Sequence, residues 1–239
     1  MLKHIDPEHI LFLDIETVPA EEYFETLDED WKQLWEDKTR FLRQREEISL
    51  EDSYERAGIY AEFGKIVCIS VGFLRQKQGD RVFRSTSFYS NDETDLLRNF
   101  CNLLNNHYQE RHHVLCAHNG KEFDFPYIAR RLLINGVPIP EILNIAGKKP
   151  WEVRHLDTLE LWKFGDYKSY TSLKLLTKAF GIPTPKDDID GSQVAQVYYK
   201  EKNLDRIEVY CRKDVLALTQ LYLRYRGEEL LSEDQVMEV

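Results

Sequence analysis

Long hydrophobic runs are missing from this 239-residue chain. The longest, Ile66 to Leu74, is already interrupted by Ser70 and Gly72. It falls far short of the ~20 apolar residues that a helix needs to cross a bilayer, so a helical membrane span is excluded. The opening stretch MLKHIDPEHILFLDIE has acids inside its only apolar segment and no small-residue cleavage site. It does not read as a secretory signal, and the cytoplasm is the expected location. Cysteine is sparse: Cys68, Cys101, Cys116 and Cys211 are widely separated and form no Cys-x-x-Cys pair, which argues for reduced core thiols and against zinc ligands. With only 11 Gly and 8 Pro, extended disorder and collagen-like repeats are excluded. A basic excess is absent as well. The 42 acidic against 32 basic side chains give a formal charge of −10 and a pI near 5.3, the opposite of a histone-like DNA coat.

What is present is enough chain, 42% of it hydrophobic, to bury a sizeable core without disulfides or metal staples. Ile10 to Ile15 (ILFLDI) is a short, nearly continuous apolar run, the pattern of a central strand buried on both faces. From Glu21 to Glu47, Tyr23, Phe24, Leu27, Trp31, Leu34, Trp35, Phe41 and Leu42 recur at helical spacing among dense charges, which predicts one or two amphipathic helices packing on the protein's own core. Residues 48–60 lack periodicity and read as a mobile connector. Lys65–Leu74 and Arg81–Tyr89, joined by Gln78, Gly79 and Asp80, predict a β-hairpin. A helix over 92–107, a short strand over 113–117 and a helix that Pro126 can start come next. Beyond a last short strand over 153–157, the chain reads as helical to its end, with breaks at Gly165, 181–185 and 187–191. The order predicts an α/β fold, a mixed β-sheet flanked by helices, as a single domain over 1–239 with a helical insertion over 21–60 after the first strand.

Three segments carry candidate chemistry. Asp14 and Glu16 flank Ile15 on the first strand, and residues i and i+2 of a strand project from one face. Two carboxylates held together near a core repel unless a cation lies between them; a solvated strand-end pair is the alternative. In HNGKEFDFPYI, Asn119-x4-Asp124 places an acid at a helix start, where a plain N-cap is equally natural. In EVYCRKD, Tyr210 and Asp214 are one helical turn apart on one face, beside Val209, Val215, Leu218, Leu221 and Tyr222 as a buried stripe. The alternative there is an exposed acid balanced by Arg212 and Lys213.

Taken together, FLDIET, HNGKEFDFPYI and YCRKD resemble the three motifs of the DEDD family of 3′-to-5′ exonucleases on the ribonuclease H-like fold. The second motif takes the form seen in proofreading domains of family B DNA polymerases. The likeness runs from about residue 10 to residue 225, with supporting matches in GKIVCISVGF, HLDTLELW and SLKLLTKAFGI. Val209 and Tyr210 stand where a second subclass has His-x4-Asp, so the chain resembles the tyrosine subclass. A 239-residue chain leaves no room for a polymerase domain, so a stand-alone exonuclease is expected.

The resemblance implies that Asp14, Glu16, Asp124 and Asp214 gather two divalent cations, Mg²⁺ or Mn²⁺, with Asp14 bridging them. Such ions, about 3.5–4 Å apart, hold the attacking water and the leaving 3′ oxygen on opposite sides of phosphorus. Nucleoside 5′-monophosphates are the implied product. Tyr210, with a reference pKa of about 10, would orient the water or the phosphate as a protonated phenol. Ile15, Thr17, Asn119 and Phe123 are the implied substrate contacts, and Asp157 a capping or supporting acid. The expected partner is the 3′ end of single-stranded DNA. RNA 3′-end processing and a catalytically silent nucleic-acid-binding module are the alternatives. Arg130-Arg131 and Lys148-Lys149 either guide the strand or are solvated surface.

Overall fold

Strand β1 (Ile10–Pro19) is the hub of the molecule. Ile10, Leu11, Phe12 and Leu13 are completely enclosed, as the continuous apolar run requires. The computed structural model describes residues 2–77, 79–166, 170–183 and 189–238. β1 pairs antiparallel with β2 (Gly64–Lys77), which pairs antiparallel with β3 (Asp80–Tyr89) in the expected hairpin. On its other side β1 runs parallel to β4 (Val114–Ala117), and β4 runs parallel to the two-residue β5 (Leu156–Asp157). A sixth strand, β6 (Val236–Glu238), adds parallel to β3, giving the order β5-β4-β1-β2-β3-β6. The helices are α1 (Glu29–Glu46), α2 (Leu50–Ser53), α3 (Glu93–His107), α4 (Asp124–Ile134), α5 (Thr158–Lys163), α6 (Leu173–Ala179), α7 (Val194–Gln196) and α8 (Leu204–Arg226).

Alternation along β1 splits the core. Leu11, Leu13 and Ile15 face a cluster with Leu97 and Phe100 of α3 and Phe125 and Ile128 of α4. Ile10 and Phe12 face the opposite way, under Val215, Leu218 and Tyr222 of α8, with the Phe12 ring edge-on to Tyr222 at 5.2 Å. Burying each such side chain contributes roughly 1.5–3 kcal/mol, so the sheet and both helix layers are mutually dependent. Past Glu16 the β1–β2 register slips: Glu16 faces Cys68 and Thr17 faces Ile66. Val67 is the extra residue of a β-bulge, and Val67 and Cys68 both join the cluster beneath α8, as expected where a bulge re-aims successive side chains. Helix starts follow the capping chemistry of the sequence: Asp28, Asp92 and Asn203 accept backbone N–H bonds at α1, α3 and α8.

The helical insertion falls between Pro19 and Gly64 and gathers a cluster around Trp35, Phe24, Tyr54 and Phe63, joined to the main core where α4 bonds the Gly58 and Ala61 carbonyls. Trp35 is fully buried, donates from Nε1 to Ser53 Oγ at 3.0 Å and meets the rings of Tyr54, Tyr60 and Phe63 edge-on. Residues 48–60 form no loose connector; α2 and a 3-10 turn over Tyr54–Ile59 bury Tyr54, Ala57 and Gly58. The C-terminus ends in β6, whose three residues are too few to show alternation. Val209 is 38% exposed, and the buried stripe of α8 starts instead at Ile207 and Cys211. Gln78 of the hairpin turn and positions 184–188 of the expected breaks lie outside the described residues.

Candidate active site

The face that Ile10 and Phe12 pack against α8 continues, two and four residues beyond Phe12, as Asp14 and Glu16. Here apolar pairing gives way to carboxylates on the same side of the sheet. Directly above them α8 presents Tyr210, Cys211 and Asp214. The Cys211 thiol donates to the Asp14 carbonyl at 3.4 Å and to Asp14 Oδ2 at 3.5 Å. Ligand atoms of Asp14, Glu16 and Cys211 lie within 4.8 Å of one another. From the other side, α4 delivers Asp124 as its first residue, 3% exposed, with its carboxylate accepting the Ile15 N–H.

The turn before α4 explains how Asp124 arrives. Asn119 adopts φ 65°, a left-handed conformation that Asn tolerates better than most residues. A Cβ on Gly120 would meet Ala117 Cβ at 2.4 Å, so glycine is required for this close approach. Asp157 fixes the turn: its Oδ1 accepts from Asn119 N (3.0 Å) and Leu159 N (2.9 Å), and its Oδ2 from Lys121 N (3.1 Å). It caps α5 while holding the second motif.

Electrostatics mark the cluster as a crowd of mutually repelling buried acids. Burial raises the Asp14 carboxyl well above the usual range, and Asp214 and Asp124 push it further. Burial does the same to Glu16, with Asp14 and Asp214 adding repulsion. Burial brings Asp124 up to about 7, with Asp157 reinforcing the shift against the Ile15 N–H bond. Glu16 is 7% exposed, and among the described residues no hydrogen bond or ion pair engages its carboxylate. Buried anions of this kind are stable only with a counter-charge. The Tyr210 phenol donates to Asp214 and is held protonated, first by burial and then by Asp214, Glu16 and Asp14. Arg212, a candidate to balance Asp214, is taken instead by Glu208 at 2.9 Å and by Glu238 of β6. These residues fit hard divalent cations, which favour clustered carboxylate oxygens.

The five expected catalytic side chains thus converge, and their companions divide. Thr17 lies close to the Tyr127 phenol of α4, which donates to the Gly58 carbonyl at 2.7 Å. Phe123 is half-buried with its ring 5.2 Å from that of Tyr127, and Asn119 is half-buried in the turn. The Ile15 side chain is 6% exposed in the core on the opposite face, which leaves its backbone as the part nearest Asp124. Arg130-Arg131 also splits. Arg131 is buried and paired with Glu93 at 2.5 Å, and only Arg130 faces solvent. Sequence reasoning missed two neighbours. Cys211 carries a signal, since it directly follows Tyr210 at the inward position of α8. Tyr170, 69% exposed, has its hydroxyl raised first by burial and then by the charges of Asp124, Asp157 and Asp14, and it stands in a stretch of sequence with no periodic signal.

A mixed sheet with two acids midway along its central strand, an acid at the first residue of the helix after the next parallel strand and a tyrosine–acid pair on the last long helix define an α/β exonuclease fold of ribonuclease H-like type. Residues 59–237 match the family model described as "Predicted 3'-5' exonuclease related to the exonuclease domain of PolB", and the chain belongs to this family of 3′–5′ exonucleases. Over 90% of its length the chain is similar in structure to the family B DNA polymerase from the hyperthermophilic archaeon Pyrobaculum calidifontis, with TM-score 0.53 and 16% identity; it spans 24% of that chain. It also resembles E. coli Exonuclease I in complex with a dT13 oligonucleotide, with TM-score 0.40 and 11% identity over 83% of this chain and 42% of that one. The polymerase likeness is one of fold. Asp14 and Glu16 precede the family match, so their place in the site rests on the tertiary structure.

Proposed function

We propose that the chain acts as a 3′–5′ exonuclease that hydrolyses the terminal phosphodiester of single-stranded DNA and releases nucleoside 5′-monophosphates. The observation that carries this reading is the buried Glu16 carboxylate, without a hydrogen bond or ion pair among the described residues and facing Asp14 and Cys211 beneath Tyr210 and Asp214. Asp14, Glu16, Asp124 and Asp214 are the residues to hold two divalent cations, Mg²⁺ or Mn²⁺. Bound there, the ions would neutralise charge on the scissile phosphate and acidify the attacking water. A water oxygen forms the new bond to phosphorus as the bond to the 3′ oxygen breaks; the water gives a proton to solvent and the leaving oxygen takes one up.

The chain's own groups supply orientation. Tyr210 stays a donor at neutral pH, so its hydroxyl serves as a hydrogen-bonding guide and not as a base. Asp157 keeps Asn119 and Asp124 in place through the backbone of their turn. Mononucleotide release from a 3′-labelled DNA oligomer with Mg²⁺ or Mn²⁺ is the test. Release must disappear in EDTA and in Asp14→Ala; metal-independent release, or full activity of the variant, overturns the assignment. A matched RNA oligomer in the same assay reads the sugar preference.

A further inference from the structure

Residues 58–61, at the end of the helical insertion, lie between the two elements that carry Asp14, Glu16 and Asp124. On one side they rest on β1. A Cβ on Gly58 would meet the Val18 carbonyl carbon at 3.1 Å and Pro19 N at 3.2 Å, so glycine gives this turn its close approach to the strand just beyond Glu16. On the other side they meet α4. The Tyr127 phenol donates to the Gly58 carbonyl at 2.7 Å, and Arg131 Nη1 donates to the Ala61 carbonyl at 2.8 Å. A Cβ on Gly64 would clash with the Tyr127 oxygen, so the phenol reaches its acceptor only past a glycine. Glu93, the first residue of α3, completes the hold. Its Oε1 accepts from Arg131 Nε at 2.9 Å and from the Ile66 N–H at 2.7 Å, and its Oε2 accepts from Arg131 Nη2 and from Asn135 Nδ2 at 3.0 Å. Ile66 is the β2 residue opposite Thr17, where the register slips. Asp124, Tyr127, Ile128 and Arg131 are all buried and stand at i, i+3, i+4 and i+7, one face of α4. At about 1.5 Å per residue, the fastenings at Tyr127 and Arg131 fall roughly 4.5 and 10 Å along the helix from Asp124.

We infer that residues 58–61 set the spacing between β1 and α4, so that Tyr127 and Arg131 are positioning residues that present Asp124 to the metal site. The inference rests on the exonuclease reading above and gives the helical insertion a part in it, as a strut under one metal-holding acid. Apolar burial is non-directional, so by itself it lets a helix slide or turn over its neighbours at small cost. Polar bonds at two heights on α4 remove both freedoms, because a buried donor or acceptor left unpaired carries its full desolvation penalty. Breaking the Arg131–Glu93 pair would strand a buried charge, so the two side chains hold each other in one arrangement. Divalent ions need their oxygens placed to within about 0.5 Å. The strut therefore contributes to metal affinity through Asp124 and makes no contact with the nucleic acid.

The test compares the wild-type protein, Tyr127→Phe, Glu93→Gln and, as a cavity control in the last turns of α3, the buried Leu104→Ala. Mn²⁺ binding is measured by calorimetry without nucleic acid, kcat and KM on a 3′-labelled DNA oligomer, and melting temperature for each. Tyr127→Phe deletes one oxygen and keeps the ring. We expect its Mn²⁺ dissociation constant to rise about tenfold and its kcat at limiting Mn²⁺ to fall by a similar factor, with KM for DNA at the wild-type value and kcat restored by saturating Mn²⁺. Glu93→Gln moves the same way, and Tyr127→Phe alone decides if that variant does not fold. Leu104→Ala lowers the melting temperature and leaves Mn²⁺ binding at the wild-type value. Wild-type Mn²⁺ affinity in Tyr127→Phe or in a folded Glu93→Gln, or an equal loss of affinity in Leu104→Ala, overturns the strut. Failure of the wild type to bind Mn²⁺ at all overturns instead the exonuclease reading on which it rests.

Discussion

Removing one of the crowded acids should stabilise the metal-free protein while destroying its function, and Asp124→Asn is the cleanest case. The Asp124 carboxyl is pushed from 3.8 up to about 7, chiefly by burial. That is about three pKa units at 1.36 kcal/mol each, or about 4 kcal/mol of preference for the neutral form. Because the folded-state value is the raised one, this contribution is complete below pH ~4 and is lost as pH climbs towards 7, where the native state must give up a proton it favours. Asparagine keeps an acceptor for the Ile15 N–H and carries no charge. In EDTA the variant should therefore gain on the wild type by about 1.4 kcal/mol per pH unit between pH ~4 and ~7, levelling near 4 kcal/mol. Urea unfolding of both proteins at half-unit pH steps measures this difference, to which the relief of Asp14 and Glu16 from the repulsion of Asp124 adds in the same direction. Mg²⁺ should then narrow the gap, since an ion that binds only the native wild type stabilises it by mass action. A gap that stays flat with pH, or that shrinks as pH rises, would refute the claim that Asp124 is a buried, repelled anion.

Other perturbations address separate parts of the design. Tyr210→Phe should lower kcat by one to two orders of magnitude through loss of one hydrogen bond of about 1–3 kcal/mol, with KM and melting temperature unchanged; undiminished kcat removes Tyr210 from the site. Asp157→Ala should cost about 2–3 kcal/mol in urea melts, because it strips an acceptor from both the α5 cap and the 119–121 turn. It should also lower kcat/KM although Asp157 touches no substrate, and wild-type kinetics in a destabilised variant would separate the turn from catalysis. Trp35→Ala should cost about 3–5 kcal/mol within the satellite cluster. Limited proteolysis should then cut between residues 20 and 63 while the sheet stays intact; cleavage spread evenly over the chain would contradict that independence.

The hub strand was legible because its signal is local: four consecutive apolar residues, Ile10 to Leu13, run without polar interruption up to Asp14 and admit few other readings. The hairpin, α3 with its Asp92 cap and α4 were legible for the same reason. β6 was not, since three residues on a sheet edge carry no period, and its hold on α8 runs through an Arg212–Glu238 pair distant in sequence. The bulge at Val67 is equally silent in sequence. Whether Asp14, Asp124 and Asp214 were site acids, a solvated pair, a cap or an exposed charge could not be decided from any one segment.

The sequence by itself determined the residue types and their spacings: which positions are apolar at period two or near four, and which acids stand at the ends of those runs. Only the tertiary structure decided that the acids of β1 face α8, that Arg212 is drawn away from Asp214, and that Tyr127 and Arg131 of α4 reach the carbonyls of the insertion. The reason is that charge interactions depend on distance and burial, and those exist only once strands far apart in the chain lie side by side.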